Sequence, residues 1–454
     1  MTVAEKLHKD VVAAGLCTGC GACVALDPAG WAHMVDTPLG PQPDFVGAVL
    51  PDLAWQVCPG KGVDYAALYQ AHYGRLPENW LLGCFQRVRT GHSADEEIRR
   101  AGASGGVLTH TLIYLLESGL IDAALVVRQG TPTPLQARVV VARTREEILA
   151  AAQSVYIPVA TLDILPRLEP HKRYALVCLP DQAAALRLLQ LAGHVAAQQI
   201  KFVLGPYTGT ALYPAAITCF LRSRRVPPAD AVTSLKWRAC EWPGYLEIRT
   251  AAGRVLTSKK IYYNFLIPFF ITQNSLQNMD FTNEFCDLSV GDAWSPRFEA
   301  LGGGHSVITT RSAVMEAVIN EMSHDRLLAT EPEDPAASLA MHGHMLDFKK
   351  RGSYIRNQLR RKFGRAAPDY GLRPEPLPKS RWAVELVVSL LFLVGGTRVA
   401  RKVLEWIPES VIGPLFNRLR LLWKGWSKPV KRKGLGTLQM VPEGRPKPAH
   451  LFEA

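Results

Sequence analysis

Three cysteines within seven residues constrain this chain more than any other feature. In Leu16 to Gly30, LCTGCGACVALDPAG, Cys17, Cys20 and Cys23 stand at C-x2-C-x2-C spacing. A two-cluster ferredoxin continues with x3-Cys-Pro, and that last cysteine ligates the other cluster. Here Asp27 precedes Pro28 in its place, so no second cluster is expected in this segment. A remote Cys-Pro occurs in Val57-Cys58-Pro59-Gly60. Cys17, Cys20, Cys23 and Cys58 thus form a complete ligand set for one [4Fe–4S] cluster, with Cys84 as the next candidate should Cys58 fail. Gly19 and Gly21 would let the backbone wrap closely and aim amides at sulfur. Zinc is the alternative, but its sites usually pair separated Cys or His doublets and fit this spacing poorly.

At 454 residues the chain predicts two or three domains. Its 48% hydrophobic and 20% charged content is that of an ordinary globular protein. The net charge of +12 calls for an anionic counterpart: nucleic acid, lipid, an acidic redox protein or a cofactor. With no RNP, zinc-finger or helix-turn-helix signature, no nucleic-acid partner is expected. The cysteines outside the motif are isolated, which suits a reducing compartment. MTVAEKLHKD lacks the apolar core of a signal peptide, so a cytoplasmic location is expected. The apolar run Trp382 to Gly396 contains Glu385 and is short of the roughly twenty residues a span needs. It reads as a buried or surface-lying helix.

The middle of the chain alternates strand and helix signals, predicting α/β or α+β architecture with ligands at strand carboxyl ends. Ala103-Ser104-Gly105-Gly106 reads as a turn opening a helix whose apolar face is Val107, Leu108, Leu112, Leu115 and Leu116, ended by Gly119. Ala123 to Val127 reads as a buried strand. Ser104, Gly105 and Gly106 could present amides to a phosphate, or simply start a helix. Tyr174 to Leu179 reads as a strand, Pro180 to Leu191 as a helix, and Lys201 to Leu204 as another strand. Asp287 and Asp292 could pair as carboxylates or cap a turn. His92, His110 and His305 are proton-donor candidates by residue type alone, and no catalytic residue is identified.

From Lys349 to Arg365 there are eight basic residues and no acidic one, with Ile355, Leu359 and Phe363 at four-residue spacing. This predicts a basic amphipathic helix. Further on, Trp406, Leu415, Phe416, Leu419, Leu422, Trp423 and Trp426 interleave with Arg418, Arg420, Lys424 and Lys428. Such a pattern suits either an anionic membrane surface or a helical appendage packed on the body. Residues 429–454, rich in Pro, Lys and Gly, predict disorder.

Together these motifs resemble the coenzyme F-420 hydrogenase/dehydrogenase beta-subunit family. That family also contains 7-hydroxymethyl chlorophyll a reductase and a ferredoxin-type divinyl chlorophyllide reductase. The similarity spans roughly residues 10–350 and rests on CTGCGAC with Cys58-Pro59, GHS…EEIRRAGASGGVLT…LLESGLIDAALVV, KWRACEWPG and TNEFCDLSVGDAW. It implies an iron–sulfur flavoprotein oxidoreductase passing electrons between a one-electron carrier, such as ferredoxin or a partner redox subunit, and a two-electron small-molecule substrate through FAD. The implied organisation is a ferredoxin-like module (1–75), two α/β domains (85–165 and 170–320) forming a flavin-binding body, a basic helical extension (335–428) and the tail (429–454). A location at the inner face of the membrane is compatible with the extension. The chain departs from the family pattern at four cysteine positions, where it has Asp181, Thr208, Ser275 and Asn278. Oxygen and amide groups do not replace thiolates on iron–sulfur, so a second cluster is expected to be lost. Cys178, Cys240 and Cys286 lie off register. A non-catalytic relay or scaffold subunit is the alternative function.

Overall fold

The computed structural model describes residues 1–259 and 264–443. An N-terminal hairpin pairs β1 (His33–Thr37) with β2 (Gly40–Asp44). The body is one eight-stranded mixed sheet. It takes β3 (Arg87–Ser93), β4 (Ala123–Gln129), β5 (Ala137–Ala142), β6 (Tyr174–Val177) and β7 (Ile200–Pro206). A separate antiparallel sheet of β8 (Val232–Ala239), β9 (Tyr245–Thr250) and β10 (Val255–Lys259) follows in the chain. The large sheet is completed by β11 (Leu288–Asp292), β12 (Ser306–Thr310) and β13 (Leu328–Pro332). Its strand order is β13-β3-β12-β11-β7-β6-β4-β5. The four central strands β11, β7, β6 and β4 are mutually parallel, and antiparallel strands flank them. The two α/β parts expected as separate domains therefore contribute strands to a single sheet.

Alternation along the strands explains the two cores. Ala124 and Val126 face one layer with Leu112, Leu115, Ile319 and Met322, while Ala123 and Leu125 face the other with Leu186, Leu189 and Phe285. The second layer continues through Leu7, Val11, Val57, Tyr65 and Leu68. The first 75 residues thus share their core with the body. The helix Pro180–Leu191 starts on its proline, as the sequence predicts.

The largest departure lies at Lys349 to Arg365. The stretch is helical, but Lys349, Lys350, Arg351 and Arg356 are buried rather than presented to solvent or lipid. Lys350 Nζ lies 2.5 Å from Glu284 Oε1, and Glu284 also accepts the Tyr69 hydroxyl. Lys349 Nζ donates to the Ser275 carbonyl at 2.9 Å. Asp347 takes Arg351 at 2.7 Å and Arg381 at 2.9 Å, and Glu385 takes Arg356 and Arg381. Asp347 and Glu385 each meet one arginine four residues away, but Glu284 reaches Lys350 and Glu385 reaches Arg356 from distant parts of the chain, so local spacing reveals only part of the network. Residues 429–443 also differ from expectation. The helix Glu409–Arg432 runs through Pro429, and β15 (Met440–Pro442) pairs with β14 (Leu372–Pro374). The remainder of the expected disordered tail lies outside the described residues.

Removing one member of a fully buried ion pair strands the other charge, at a cost of about 3–5 kcal/mol. Lys350→Met should therefore lower unfolding free energy in denaturant by about that amount. A loss below about 1 kcal/mol, the range of an exposed pair, would contradict this placement.

Candidate functional site

Cys17, Cys20, Cys23 and Cys58 line one small cavity together with Leu7, Val11, Gly21 and Phe45. Cys58 enters from the turn after the helix Asp52–Gln56, and the other three from the loop after residue 15. Gly21 has φ +85°, and a Cβ there would meet the Asp163 amide at 2.7 Å, so the loop closes on the body only with glycine. Burial pushes the Cys17 thiol up to about 12, against a lowering contribution from the Gly19 amide. Burial likewise raises Cys20, Cys23 and Cys58, and the neighbouring sulfurs raise Cys20 and Cys23 further. Backbone amides of Ala22, Val24, Gly60 and Lys61 point at these sulfurs. Cys20 is buried and Cys17, Cys23 and Cys58 are half-buried; thiols that repel one another as anions form a donor set that a bound cation would stabilise as thiolates. Among the described residues no group of three or more His, Cys, Asp or Glu side chains is placed to hold a metal ion. Asp27 accepts amide hydrogen bonds from Ala29 and Ala32, so it closes a turn.

A second cavity, of about 1280 Å³, opens where the parallel strands end. Val127, Val177, Pro206 and Asp292 mark those carboxyl ends, and the β8–β10 sheet covers it through Arg238 and Tyr245. The volume exceeds the roughly 300–1,000 Å³ of an ordinary ligand pocket, leaving room for a large cofactor and a second molecule. Ser104 and Gly106 lie on its wall, at the start of the helix Val107–Glu117. Gly105 does not. Its amide donates to Ser306 Oγ at 3.0 Å, and a Cβ there would meet the Gly91 carbonyl at 2.7 Å. A bulky substitution at Gly105 would therefore disturb packing before any ligand.

One thin wall separates the two cavities. The Leu162 amide donates to the Cys20 carbonyl at 2.9 Å, while the adjacent Thr161 lines the large cavity. In the helix Pro180–Leu191, Asp181 lies close enough to Cys17 and Cys20 to act on their charge, while Gln182 faces the large cavity. Burial raises the Asp181 carboxyl, opposed by Thr18, Asn274 and Lys349.

The four positions that depart from the family's cysteines carry structural hydrogen bonds. Thr208 Oγ1 donates to the Pro206 carbonyl, Ser275 Oγ accepts from the Ala211 amide, and Asn278 Oδ1 accepts from the Asp280 amide. Cys178 and Cys286 are buried neighbours, whereas Cys240 is exposed beside the Tyr245 hydroxyl. Two adjacent sulfurs fall short of the four a cluster wants. Asp287 and Asp292 do not form a carboxylate pair, because Arg187 holds the first and Arg238 the second.

His92, His110 and His305 do not line the large cavity. His92 and His305 stack edge to face, and His110 bonds to Ser93 Oγ. Sequence reasoning missed two histidines on the cavity wall, His342 and His344, both on the helix Pro335–Asp347. His342 is buried against Tyr207 and Phe281, and its Nε2 has no partner among the described residues. Burial lowers it to about 4, so the ring is neutral near pH 7. Nothing in the local sequence around His342 marks it; only the folded strand ends do.

Comparison with known proteins fits this architecture. The family model for the N-terminal domain of coenzyme F420 hydrogenase/dehydrogenase beta subunits matches residues 88–166, and that for the C-terminal domain matches residues 171–336. The chain is 25% identical over 274 residues to coenzyme F420 hydrogenase subunit beta of Methanothermobacter thermautotrophicus, covering 56% of this chain and 86% of that one. It is 30% identical over 186 residues to a coenzyme F420-dependent sulfite reductase of Methanocaldococcus jannaschii, covering 40% of this chain and 26% of the relative. A chain of the F420-reducing [NiFe] hydrogenase complex from Methanosarcina barkeri shares the fold, with TM-score 0.52 and 21% identity over 64% of this chain and 98% of that one. The chain belongs to the coenzyme F420 hydrogenase/dehydrogenase beta-subunit family.

Proposed function

We propose that this member of a redox family is an iron–sulfur flavoprotein oxidoreductase. In this reading it passes electrons between a one-electron carrier, such as ferredoxin or a partner redox subunit, and a two-electron small-molecule substrate. The observation that carries the reading is the shared wall: the four-cysteine cavity and the large cavity are separated by Thr161-Leu162 and one turn of helix at Asp181-Gln182. Cys17, Cys20, Cys23 and Cys58 would hold one [4Fe–4S] cluster, and the large cavity would hold FAD with Ser104 and Gly106 on its wall. A cluster supplies single electrons and a flavin pairs them for hydride-type reduction.

The chain's own residues supply the rest. Val127, Val177 and Leu212 give the cavity apolar wall that a flavin ring would pack against. Arg238, fixed by Asp292 at 2.9 Å, keeps a cation at one side of it. The Nε2 of neutral His342, without a partner among the described residues, can accept or donate one hydrogen bond to a bound molecule. The replaced cysteine positions leave no second set of four thiols, which also suits the alternative, a relay or scaffold subunit of a larger complex. Flavin content discriminates the two: bound flavin favours the oxidoreductase, and iron without flavin the relay.

Two substitutions test the assignments. Cys58→Ser in anaerobically prepared protein should lose iron and sulfide as completely as Cys20→Ser; full cluster occupancy in Cys58→Ser would overturn the ligand set. Thr210→Trp projects into the large cavity from a loop, so flavin content should fall about tenfold, equivalent to about 1.4 kcal/mol of binding. Iron should be unchanged. Undiminished flavin in that variant would place the cofactor elsewhere.

A further inference from the structure

The helix Lys379–Gly395 buries charge and exposes apolar surface. Its buried side carries Val384 and Val388 beside Arg381 and Glu385, which are locked in ion pairs with Asp347 and Arg356. Its outward side carries Leu386, Val387, Leu390, Leu391, Leu393 and Val394, all exposed. A surface helix of a free-standing soluble protein keeps that outward side polar. The apolar surface continues onto the next two helices, where Trp406 is 85% exposed and Leu422 73%. Fifteen of the 28 large apolar side chains exposed among the described residues fall between positions 386 and 426. That concentration far exceeds the scattered exposure normal for a soluble surface.

We propose that the helices Lys379–Gly395, Arg398–Trp406 and Glu409–Arg432 seat the protein on the surface of a bilayer containing anionic lipid. Charge identifies the occupant. Residues 379–432 hold eleven lysines and arginines against three acidic residues. Arg398, Lys402, Arg418, Lys424 and Lys428 are exposed among the apolar groups. An interface with another protein, or with a second copy, is depleted in lysine at its core. Cations interleaved with Trp and Leu match instead the headgroup and acyl boundary, where long basic side chains reach phosphate while their stems stay apolar. Geometry sets the depth. No single helix among the described residues is long and apolar enough to cross a membrane; the first two of these helices together have the length and composition of a span but meet at 72°. With basic residues interleaved along the exposed faces, the bent pair lies along the interface in this proposal. The surface lies on the C-terminal helices, beyond residue 336 where the family match ends, and it stands independently of the cofactor assignments.

Co-flotation of the full-length protein with vesicles tests this. The expected result is binding to vesicles of phosphatidylcholine mixed with phosphatidylglycerol. Binding should weaken about tenfold on pure phosphatidylcholine, and also on raising salt, because exposed charges are screened. The double variant Leu390→Glu/Leu393→Glu changes two outward side chains. It should unfold at the same denaturant concentration as the native protein yet bind anionic vesicles about tenfold less. No flotation with either vesicle, equal binding to both, or undiminished binding by the variant would each overturn the proposal. So would an oligomer that the same variant dissociates in the absence of any vesicle binding, which would give the face to a second copy.

Discussion

One buried carboxylate ties the molecule together. Asp280 accepts hydrogen bonds from the amides of Asn283 and Glu284, each at 2.8 Å, and so fixes the turn that presents Glu284. Glu284 then binds Tyr69 from the helix beside the cysteine segment and Lys350 from the C-terminal arm. Arg311 reinforces the same region by donating to the carbonyls of Leu82, Cys84 and Thr282. Charges buried this deeply persist only when paired. The N-terminal segment, the sheet and the arm are therefore held in one arrangement, and the wall between the two cavities inherits its rigidity.

The same seam takes in three of the four positions at which the family resemblance places further cysteines. Lys349 bonds the Ser275 carbonyl and acts electrostatically on Asp181, while Asn278 braces Asp280. Thr208 stands apart, its hydroxyl donating to the Pro206 carbonyl. The set Cys17, Cys20, Cys23 and Cys58 lies beside the wall of the large cavity.

Much of this was legible in the sequence. The cysteine spacing, the remote Cys-Pro and the proline that opens the helix at Pro180 are local signals, and the alternation of Ala123–Val127 marks a central strand. Other features depend on tertiary partners. The run of lysines and arginines reads as a basic amphipathic helix until Glu284 and Glu385 arrive from elsewhere in the chain and pair with Lys350 and Arg356. Trp382 to Gly396 reads as a buried or surface-lying helix, and the burial of Glu385 beside Val384 and Val388 is what turns Leu386, Leu390 and Leu393 outward. His342 gains meaning from the strand ends it faces, which no spacing rule encodes.

The account stands on one cluster per chain, and metal counting tests that most directly. Anaerobically reconstituted protein should bind about four irons and four sulfides per chain, the content of a single cubane. About eight irons would show that Cys178, Cys240 or Cys286 has been recruited with further ligands, and would contradict the account.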